Sequence, residues 1–245
     1  LHLQVSVITP SRLDSKSKDI FKKLRELHKE DGPRLGSPSQ GSLLVHWFYD
    51  PTFTRDSTKI RGDEIQHFKS LRIRVGEELV VTDGLGNSHS CKAIDPAKGE
   101  VQVERSRQHD RPEVRIQLIQ AIAKGDRDEM ALQASVELGC SSVVAWQAEH
   151  SISRWDGKEQ KSLERWRQIA VAAMKQSQQA FLPDIQGPLS TSDLKPIGHG
   201  ILLLPEADIP LSEVDLGAAE YSLVVGPEGG IAKPEIEQLT ASGFV

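Results

Sequence analysis

The chain has 245 residues, 38% of them hydrophobic and 27% charged, and its formal net charge is −5 at pH 7. This length can bury a real core in two domains, and the composition is that of a soluble globular protein. The acidic balance excludes a bulk polycation that grips nucleic acid without discrimination, so any nucleic-acid site must be a local basic patch. No apolar run approaches the length of a membrane span, and we expect no membrane partner.

The only cysteines are Cys91 and Cys140, and neither lies near other metal-type ligands in the sequence. We therefore expect neither a disulfide framework nor a metal site. This cysteine usage fits a reducing compartment. We expect a cytoplasmic protein, or an organellar one if a targeting segment was removed upstream of Leu1.

Residues 1–42 form a predicted N-terminal extension. An alternating segment at 1–8 and a short amphipathic helix at 19–28 precede a connector rich in Gly, Pro and Ser at 32–41. From residue 43 the pattern changes to short strands separated by turn signals, at 43–49, 77–82, 88–94 and 100–104. Such a pattern predicts a small, mostly β barrel. The turn at 83–87 contains Gly84 and Gly86, which suit left-handed backbone positions.

Basic residues alternate with apolar ones just before this turn. Lys69, Arg72 and Arg74 follow His67 within the segment His67-Phe-Lys-Ser-Leu-Arg-Ile-Arg74. A group of this kind is most often a solvated face. It is also typical of a phosphate-contacting patch on a small RNA-binding domain, and the sequence leaves both interpretations open.

Beyond a polar boundary at 106–113, strands and helices alternate, which predicts an α/β domain with a largely parallel sheet. Strands are predicted at 114–122, 142–146, 200–204 and 221–225, and helices at 126–138 and 161–181. We expect the first helix to begin at Asp126, to present Met130, Ala134 and Leu138 as its apolar row, and to end at Gly139.

The stretch Tyr221-Ser-Leu-Val-Val-Gly-Pro-Glu-Gly-Gly230 runs from a strand into a glycine loop, and a helix with Pro234 in its first turn follows. No Lys-Ser or Lys-Thr pair follows the glycines, which disfavours a phosphate-cradling P-loop, and the chain has no Gly-x-Ser-x-Gly hydrolase elbow. Ligands of open α/β sheets bind at the carboxyl ends of strands. Together with Leu204-Pro-Glu206, the loop can therefore offer amides and carbonyls to a purine ring. A plain strand-to-helix turn is the alternative.

Several segments carry a family resemblance through their order and spacing. They are Ala123-Lys-Gly-Asp-Arg-Asp-Glu-Met130, Glu137-Leu-Gly-Cys140, Arg165-Trp-Arg-Gln-Ile-Ala170 with Gln176-Ser177 and Leu182-Pro183, Leu223-Val-Val-Gly-Pro-Glu-Gly-Gly230, His67-Phe-Lys-Ser-Leu-Arg72 and Asp83-Gly-Leu-Gly-Asn87. Together they strongly resemble the RsmE family of SPOUT RNA methyltransferases, over about residues 43–245. The resemblance implies a PUA-like β-barrel at 43–110, an α/β SPOUT domain with a trefoil knot at 111–245, and a homodimer. It also implies methylation of N3 of a uridine in small-subunit ribosomal RNA, or in the assembled small subunit, with S-adenosyl-L-methionine as cofactor.

The resemblance also implies roles for individual residues. The cofactor would be bound by Leu204, Pro205, Glu206, Gly226, Pro227, Glu228, Gly229 and Gly230. The residues that would bind RNA are His67, Lys69, Arg72, Arg74, Lys124, Arg154 and Arg167. Arg127 is the candidate catalytic residue, as a guanidinium that stabilises the anionic uracil. For each basic residue an exposed charge or a structural ion pair is the alternative, and Glu228 can instead fix the loop by accepting backbone hydrogen bonds.

Two features depart from the family pattern. Relatives place an arginine after the Gln-Ser pair, where this chain has Gln178 and Gln179. The chain also stops at Val245, where the family continues into a strand, an arginine-bearing loop and the helix that threads the knot. We therefore expect the methyltransferase domain to be C-terminally incomplete, with a knot that closes only through further residues. A non-catalytic RNA-binding module with a degenerate or truncated methyltransferase domain is one alternative, and an α/β enzyme using another adenosine-containing cofactor is a second.

Overall fold

The computed structural model describes residues 45–245. The extension predicted at residues 1–42 lies outside the described residues, as do the first two residues of the strand predicted at 43–49. Within 45–245, no helix is both long and apolar enough to cross a membrane.

Nine strands and four α-helices make up this part of the chain. The strands are β1 (His46–Tyr49), β2 (Glu78–Thr82), β3 (Asn87–Asp95), β4 (Glu100–Gln108), β5 (Arg115–Ala121), β6 (Ser142–Trp146), β7 (Asp184–Leu189), β8 (His199–Leu203) and β9 (Glu220–Val225). The helices are α1 (Glu64–Leu71), α2 (Arg127–Glu137), α3 (Glu159–Gln176) and α4 (Lys233–Ala241).

Strands β1 to β4 form one sheet in the order β1-β2-β3-β4, which we call the small sheet. β1 pairs with β2 in parallel, and the other pairs are antiparallel. Helix α1 covers this sheet through Phe68, whose ring centroid lies 4.4 Å from that of Phe48. β4 continues to Gln108, paired with Asn87, so the strand runs into the segment predicted as a polar boundary.

Strands β5 to β9 form the parallel sheet, with the order β7-β6-β5-β9-β8. The α/β prediction is confirmed, and β7 is an additional strand that the sequence reading did not include. Its sequence, Asp184-Ile-Gln-Gly-Pro-Leu189, has a glycine and a proline in place of a β-branched run. Past α4, Phe244 pairs in parallel with Gly200 of β8, and Val245 exchanges backbone hydrogen bonds with this strand.

Both faces of the parallel sheet are covered, as near-continuous apolar strands require. On one face Ile122 and Val143 pack with Leu132 of α2 and Trp166 of α3. On the other face a second cluster packs against Leu239 of α4. The sheet is thus the middle layer of three, and its carboxyl edge remains available for a site.

The predicted apolar row of α2 is wrong. Met130 and Leu138 are exposed, at 61% and 87% relative accessibility, while Leu132, Ser135 and Val136 are buried. Both rows have helical spacing, so periodicity alone did not choose between them. The row with Leu132 is the buried one because that face of α2 packs against Trp166 and Met174 of α3.

The turn between β2 and β3 joins the small sheet to the segment that follows α3. The amide of Gly86 donates to the carbonyl of Ala180 at 3.0 Å, and the amide of Leu182 donates to the carbonyl of Gly84 at 2.8 Å. Gly84 and Gly86 have φ angles of 74° and 106°, which confirms the predicted left-handed turn. A Cβ atom on Gly86 would lie 2.5 Å from Cζ of Phe181. The glycines therefore permit close contact as well as the turn.

We expect Gly86→Ala to destabilise the protein more than Gly76→Ala. Gly76 also has positive φ, at 81°, but nothing lies within 4 Å of a Cβ placed there. Its substitution should cost about 1 kcal/mol from backbone conformation alone. Gly86→Ala should cost about 2 kcal/mol more, because the contact with Phe181 adds overpacking strain. Urea denaturation measures both, and equal losses would contradict the tight docking of this turn.

Candidate cofactor and RNA site

Three loops meet at the carboxyl edge of the parallel sheet. β9 lies between β5 and β8, with Val225 paired to both Gln120 and Leu203. The loop at 226–230 therefore lies between the loop after β5, at 122–126, and the segment at 204–206. All predicted cofactor-binding residues belong to the two loops after β8 and β9. Strand register brings them together, although they are far apart in sequence.

Glu228 ties the glycine loop to the loop after β5. Its Oε1 accepts a hydrogen bond from the amide of Lys124 at 3.1 Å and one from Nη1 of Arg127 at 3.2 Å. The pKa of Glu228 is lowered, mainly because its own amide donates to the carboxylate, with further contributions from the Lys124 amide and the Arg127 guanidinium. The carboxylate thus fixes loop shape, as the structural alternative for Glu228 anticipated.

Arg127, the predicted catalytic residue, stands at the junction of these loops. It is the first residue of α2, and its side chain is 68% exposed despite the ion pair with Glu228. An exposed pair of this kind adds little stability. The guanidinium is therefore held near the glycine loop but can exchange its partner for another anion.

His150, in the loop after β6, holds the glycine loop from the other side. Its Nδ1 lies 3.2 Å from the carbonyl oxygens of both Gly229 and Gly230, as a donor in the Nδ1-protonated tautomer. A Cβ on Gly229 would lie 3.1 Å from Cβ of His150, so the packing there is tight. Sequence reasoning missed this role because nothing close to His150 in sequence indicated a partner.

Glu235, in the first turn of α4, fixes the loop after β6. It is 6% exposed, and its Oε1 accepts hydrogen bonds from Oγ1 of Thr191 at 2.6 Å and from the amide of Glu149 at 3.0 Å. Its Oε2 accepts from the amide of Ala232, which satisfies an otherwise free amide at the helix start. The loop that carries His150 is therefore itself anchored to the helix that follows the glycine loop.

A cavity of about 170 Å³ lies beside the end of β5, between α2, α3 and the segment at 153–155. Its lining includes Ala123, Gly125 and Asp128. Asp128 is 5% exposed, and burial raises the pKa of its carboxyl. Arg165, which also lines the cavity, joins α3 to α2 through Glu129, with 2.6 Å between Nη2 and Oε2. Asp128 could have been found from its spacing to Leu132, which places it on the core-facing row.

Two further candidate RNA residues of this region, the exposed Arg154 and the half-buried Arg167, pair with nearby carboxylates. Arg154 Nε donates to Asp156 at 2.8 Å, and Arg167 Nη1 lies 3.7 Å from Glu164. Lys124 has an exposed side chain, while its amide is bound by Glu228. The structure therefore leaves open both the RNA-binding interpretation and the ion-pair alternative for these arginines.

In helix α1 and the segment that follows it, Lys69, Arg72 and Arg74 are exposed and form no ion pair with any other described residue. Lys69 and Arg72 line an open groove of about 470 Å³, together with Asp95 and with buried Phe68 and Ile73. His67 is placed differently, because its ring faces Glu64 and Lys175. Its predicted contact with RNA therefore competes with an internal role.

Metal and thiol chemistry find no support in residues 45–245. This part of the chain has no cluster of three or more His, Cys, Asp or Glu suited to a metal ion. Burial raises the pKa of Cys91 to about 12 and that of Cys140 to about 11. Both groups therefore remain protonated thiols near neutral pH and are poor nucleophiles.

Family models match both parts of the chain. A model described as RNA methyltransferase domain matches residues 110–245, and one described as RNA methyltransferase PUA domain matches residues 60–104. Among solved structures, the fold is similar to that of a ribosomal RNA small subunit methyltransferase E from Neisseria gonorrhoeae bound to S-adenosyl methionine. That similarity has a TM-score of 0.74 and 27% identity, and it covers 82% of this chain and 87% of that one.

Curated relatives carry the same name. The chain is 36% identical over 136 residues to ribosomal RNA small subunit methyltransferase E of Mycobacterium bovis, covering 54% of this chain and 52% of that protein. It is 31% identical over 156 residues to the protein of that name from Aquifex aeolicus, covering 62% and 67%. The chain thus spans about half the length of the first of these relatives. The RNA methyltransferase domain match alone extends over more than half of the chain, which therefore belongs to the RNA methyltransferase family that its resemblance to RsmE predicted.

Proposed function

We propose that the protein methylates N3 of a uridine in small-subunit ribosomal RNA, with S-adenosyl-L-methionine as the methyl donor. The observation that carries the proposal is the tie between Glu228, Lys124 and Arg127, which sets a guanidinium beside the glycine loop. Support also comes from relatives named for small-subunit rRNA methylation and from a structural neighbour bound to this donor.

The residues at the sheet edge fit an adenosine-containing donor. Leu204 and Ile231 are partly buried apolar side chains that pack against one hydrophobic cluster, and no atom lies within 4 Å of the position that a Cβ of Gly230 would take, so a ligand can approach the backbone from that side. Leu204, Pro205 and Glu206 would form one wall, and Gly226 to Gly230 with Pro227 and Glu228 the other. When bound there, the donor supplies an electrophilic methyl group on a sulfonium.

The chain's own residues would orient the base and stabilise charge. The N3 atom of uracil holds a proton at neutral pH, and this proton must be released to solvent for the N3–CH3 bond to form, so the negative charge that develops on the ring needs stabilisation. Arg127 can supply that stabilisation, because its exposed guanidinium is free to exchange Glu228 for the anionic base. Orientation of the uracil ring toward the methyl group would supply the remaining rate enhancement. To reach the methyl group, the target uridine would be splayed from its stack.

The finer architecture is part of the proposal. The small sheet would belong to a PUA-like barrel at 43–110 that presents Lys69, Arg72 and Arg74 to RNA. Residues 111–245 would belong to a SPOUT methyltransferase domain that has a trefoil knot and acts as a homodimer, in the cytoplasm, on ribosomal RNA or the assembled small subunit. The PUA family match and the exposed side chains of Lys69 and Arg72 beside the groove support the assignment of RNA contacts.

The full-length protein tests this function directly. Calorimetry should detect S-adenosyl-L-methionine binding, and mass spectrometry of small-subunit ribosomal RNA after incubation should detect one N3-methyluridine. Binding of RNA without binding of the donor would instead favour the non-catalytic module. Binding of another adenosine-containing compound alone would favour a different α/β enzyme.

Arg127→Ala should lower kcat by about 100-fold, the size expected when a donor to a developing anion is removed. Affinity for S-adenosyl-L-methionine should change less than about twofold. Arg55→Ala, at another exposed arginine, is the matched control and should leave kcat unchanged. An Arg127→Ala protein that methylates at the wild-type rate would remove Arg127 from the mechanism.

Glu228→Ala should weaken donor binding by about tenfold, or about 1.4 kcal/mol, because the glycine loop loses its tie to the Lys124 amide. Since the pKa of Glu228 is lowered in the folded protein, the tie is complete above the ordinary glutamate pKa. It is lost only as pH falls through the lowered value, so affinity at neutral pH should not depend on this titration. Calorimetry measures the effect, with exposed Glu237→Ala as control.

A further inference from the structure

A cluster of three titratable side chains lies where α1 meets the end of α3. Nζ of Lys175 donates to Oε1 of Glu64 at 2.5 Å. Nδ1 of His67 lies 3.1 Å from Oε2 of Glu64 and 3.3 Å from Nζ of Lys175. The side chains of Glu64 and Lys175 are only 11% and 15% exposed, and that of His67 is 36% exposed. We call these three residues the joint.

The joint connects elements of the two sheets. Glu64 and His67 belong to α1, which covers the small sheet, and Lys175 lies in the last turn of α3, which covers the parallel sheet. A charge this far removed from water is unfavourable unless its partner stays in place. Any rotation of α1 away from α3 would therefore leave Glu64 and Lys175 unpaired, and the pair favours one relative orientation.

A second line of contact reinforces this orientation. The β2–β3 turn binds the chain just past α3, where Oγ1 of Thr82 and the amide of Gly86 both donate to the carbonyl of Ala180. Next to it, the guanidinium of Arg111 lies 5.5 Å from the ring centroid of Phe181. Because the two sheets are attached at two separate points, they resist both sliding and rotation relative to each other. A single attachment would still allow rotation.

Helix α3 extends from the joint to the candidate site. It has 18 residues and is thus about 27 Å long. Its amino-terminal half carries Arg165, which lines the cavity beside β5, and its carboxyl end carries Lys175. On the other side of the joint, α1 carries Lys69 and ends at Arg72. The two basic surfaces are therefore connected by helices that meet at the joint.

We propose that Glu64, His67 and Lys175 are positioning residues that hold the basic surface of the small sheet in a fixed orientation to the methyl-transfer edge, so that a folded RNA is bound at both surfaces at once. The inference rests on the proposed function. A rigid connection raises the effective concentration of the second surface once the first is bound. Loss of the joint therefore weakens productive RNA binding and leaves the donor site intact.

Charge reversal in the full-length protein tests the joint. Glu64→Lys and Lys175→Glu should each raise KM for small-subunit ribosomal RNA by about tenfold, with kcat and donor affinity changed less than about twofold. The double swap restores an attractive pair with the wild-type net charge, and it should return KM to within about threefold of wild type. Glu78→Lys and Lys161→Glu, at exposed positions of the small sheet and of α3, make the same charge changes away from the joint and should leave KM within about twofold.

Either of two results would overturn the joint: single variants no worse than their charge-matched controls, or a double swap no better than the single variants. If charge reversal prevents folding, the combined Glu64→Gln and Lys175→Met variant avoids a lone buried charge and should still raise KM by about tenfold.

RNA affinity measured without donor separates this inference from the proposed function. If the wild-type protein binds RNA but transfers no methyl group, the proposed function is wrong. The role of the joint is then supported if the variants lose RNA affinity and contradicted if they do not. A wild-type protein without RNA affinity overturns both.

Discussion

The candidate site depends on the parallel pairing of β5 with β9. This pairing aligns Gln120 with Val225, so that the loops after both strands leave the sheet at the same edge. Backbone groups at such an edge have no further strand partners, and other groups must fix the loops. Glu228 does so from within the glycine loop, by binding the Lys124 amide and Arg127. His150 does so from the loop after β6, and Glu235 anchors that loop in turn. A short chain of polar contacts thus extends the order of the sheet into the region where a cofactor would bind.

The sequence predicted the layered α/β class, the glycine loop and the left-handed turn at Gly84 and Gly86, because each has a local signature. Apolar runs mark the strands, and glycine marks positive φ. It did not predict which face of α2 is buried, since Met130 and Leu132 both begin rows with helical spacing. It also did not predict β7, whose strand conformation comes from pairing with β6 and not from its own residues.

The sequence did not predict the contacts of His67 and His150, and the reason is a different one. Each histidine meets partners that are distant in the chain: Lys175 for His67, and the carbonyls of Gly229 and Gly230 for His150. A family resemblance transfers residue types to positions, but it does not show whether a basic side chain faces solvent or a neighbouring element. This is why the resemblance assigned His67 to RNA binding, whereas in the structure its ring contacts Glu64 and Lys175.

Two physical classes of ion pair occur among residues 45–245. Arg127 and Arg154 pair with carboxylates while 68% and 51% of their side chains remain exposed, so water already solvates both charges. Such pairs contribute little and can be exchanged for a phosphate or an anionic base at small cost. The Glu64–Lys175 pair, at 11% and 15% exposure, is shielded from water, so loss of either partner while the two helices stay packed leaves an unpaired charge away from water. Of these three pairs, the two exchangeable ones lie near the candidate site, and the Glu64–Lys175 pair lies between the two sheets. This distribution is what a protein requires when its binding surfaces must adapt to a ligand while the spacing between them stays constant.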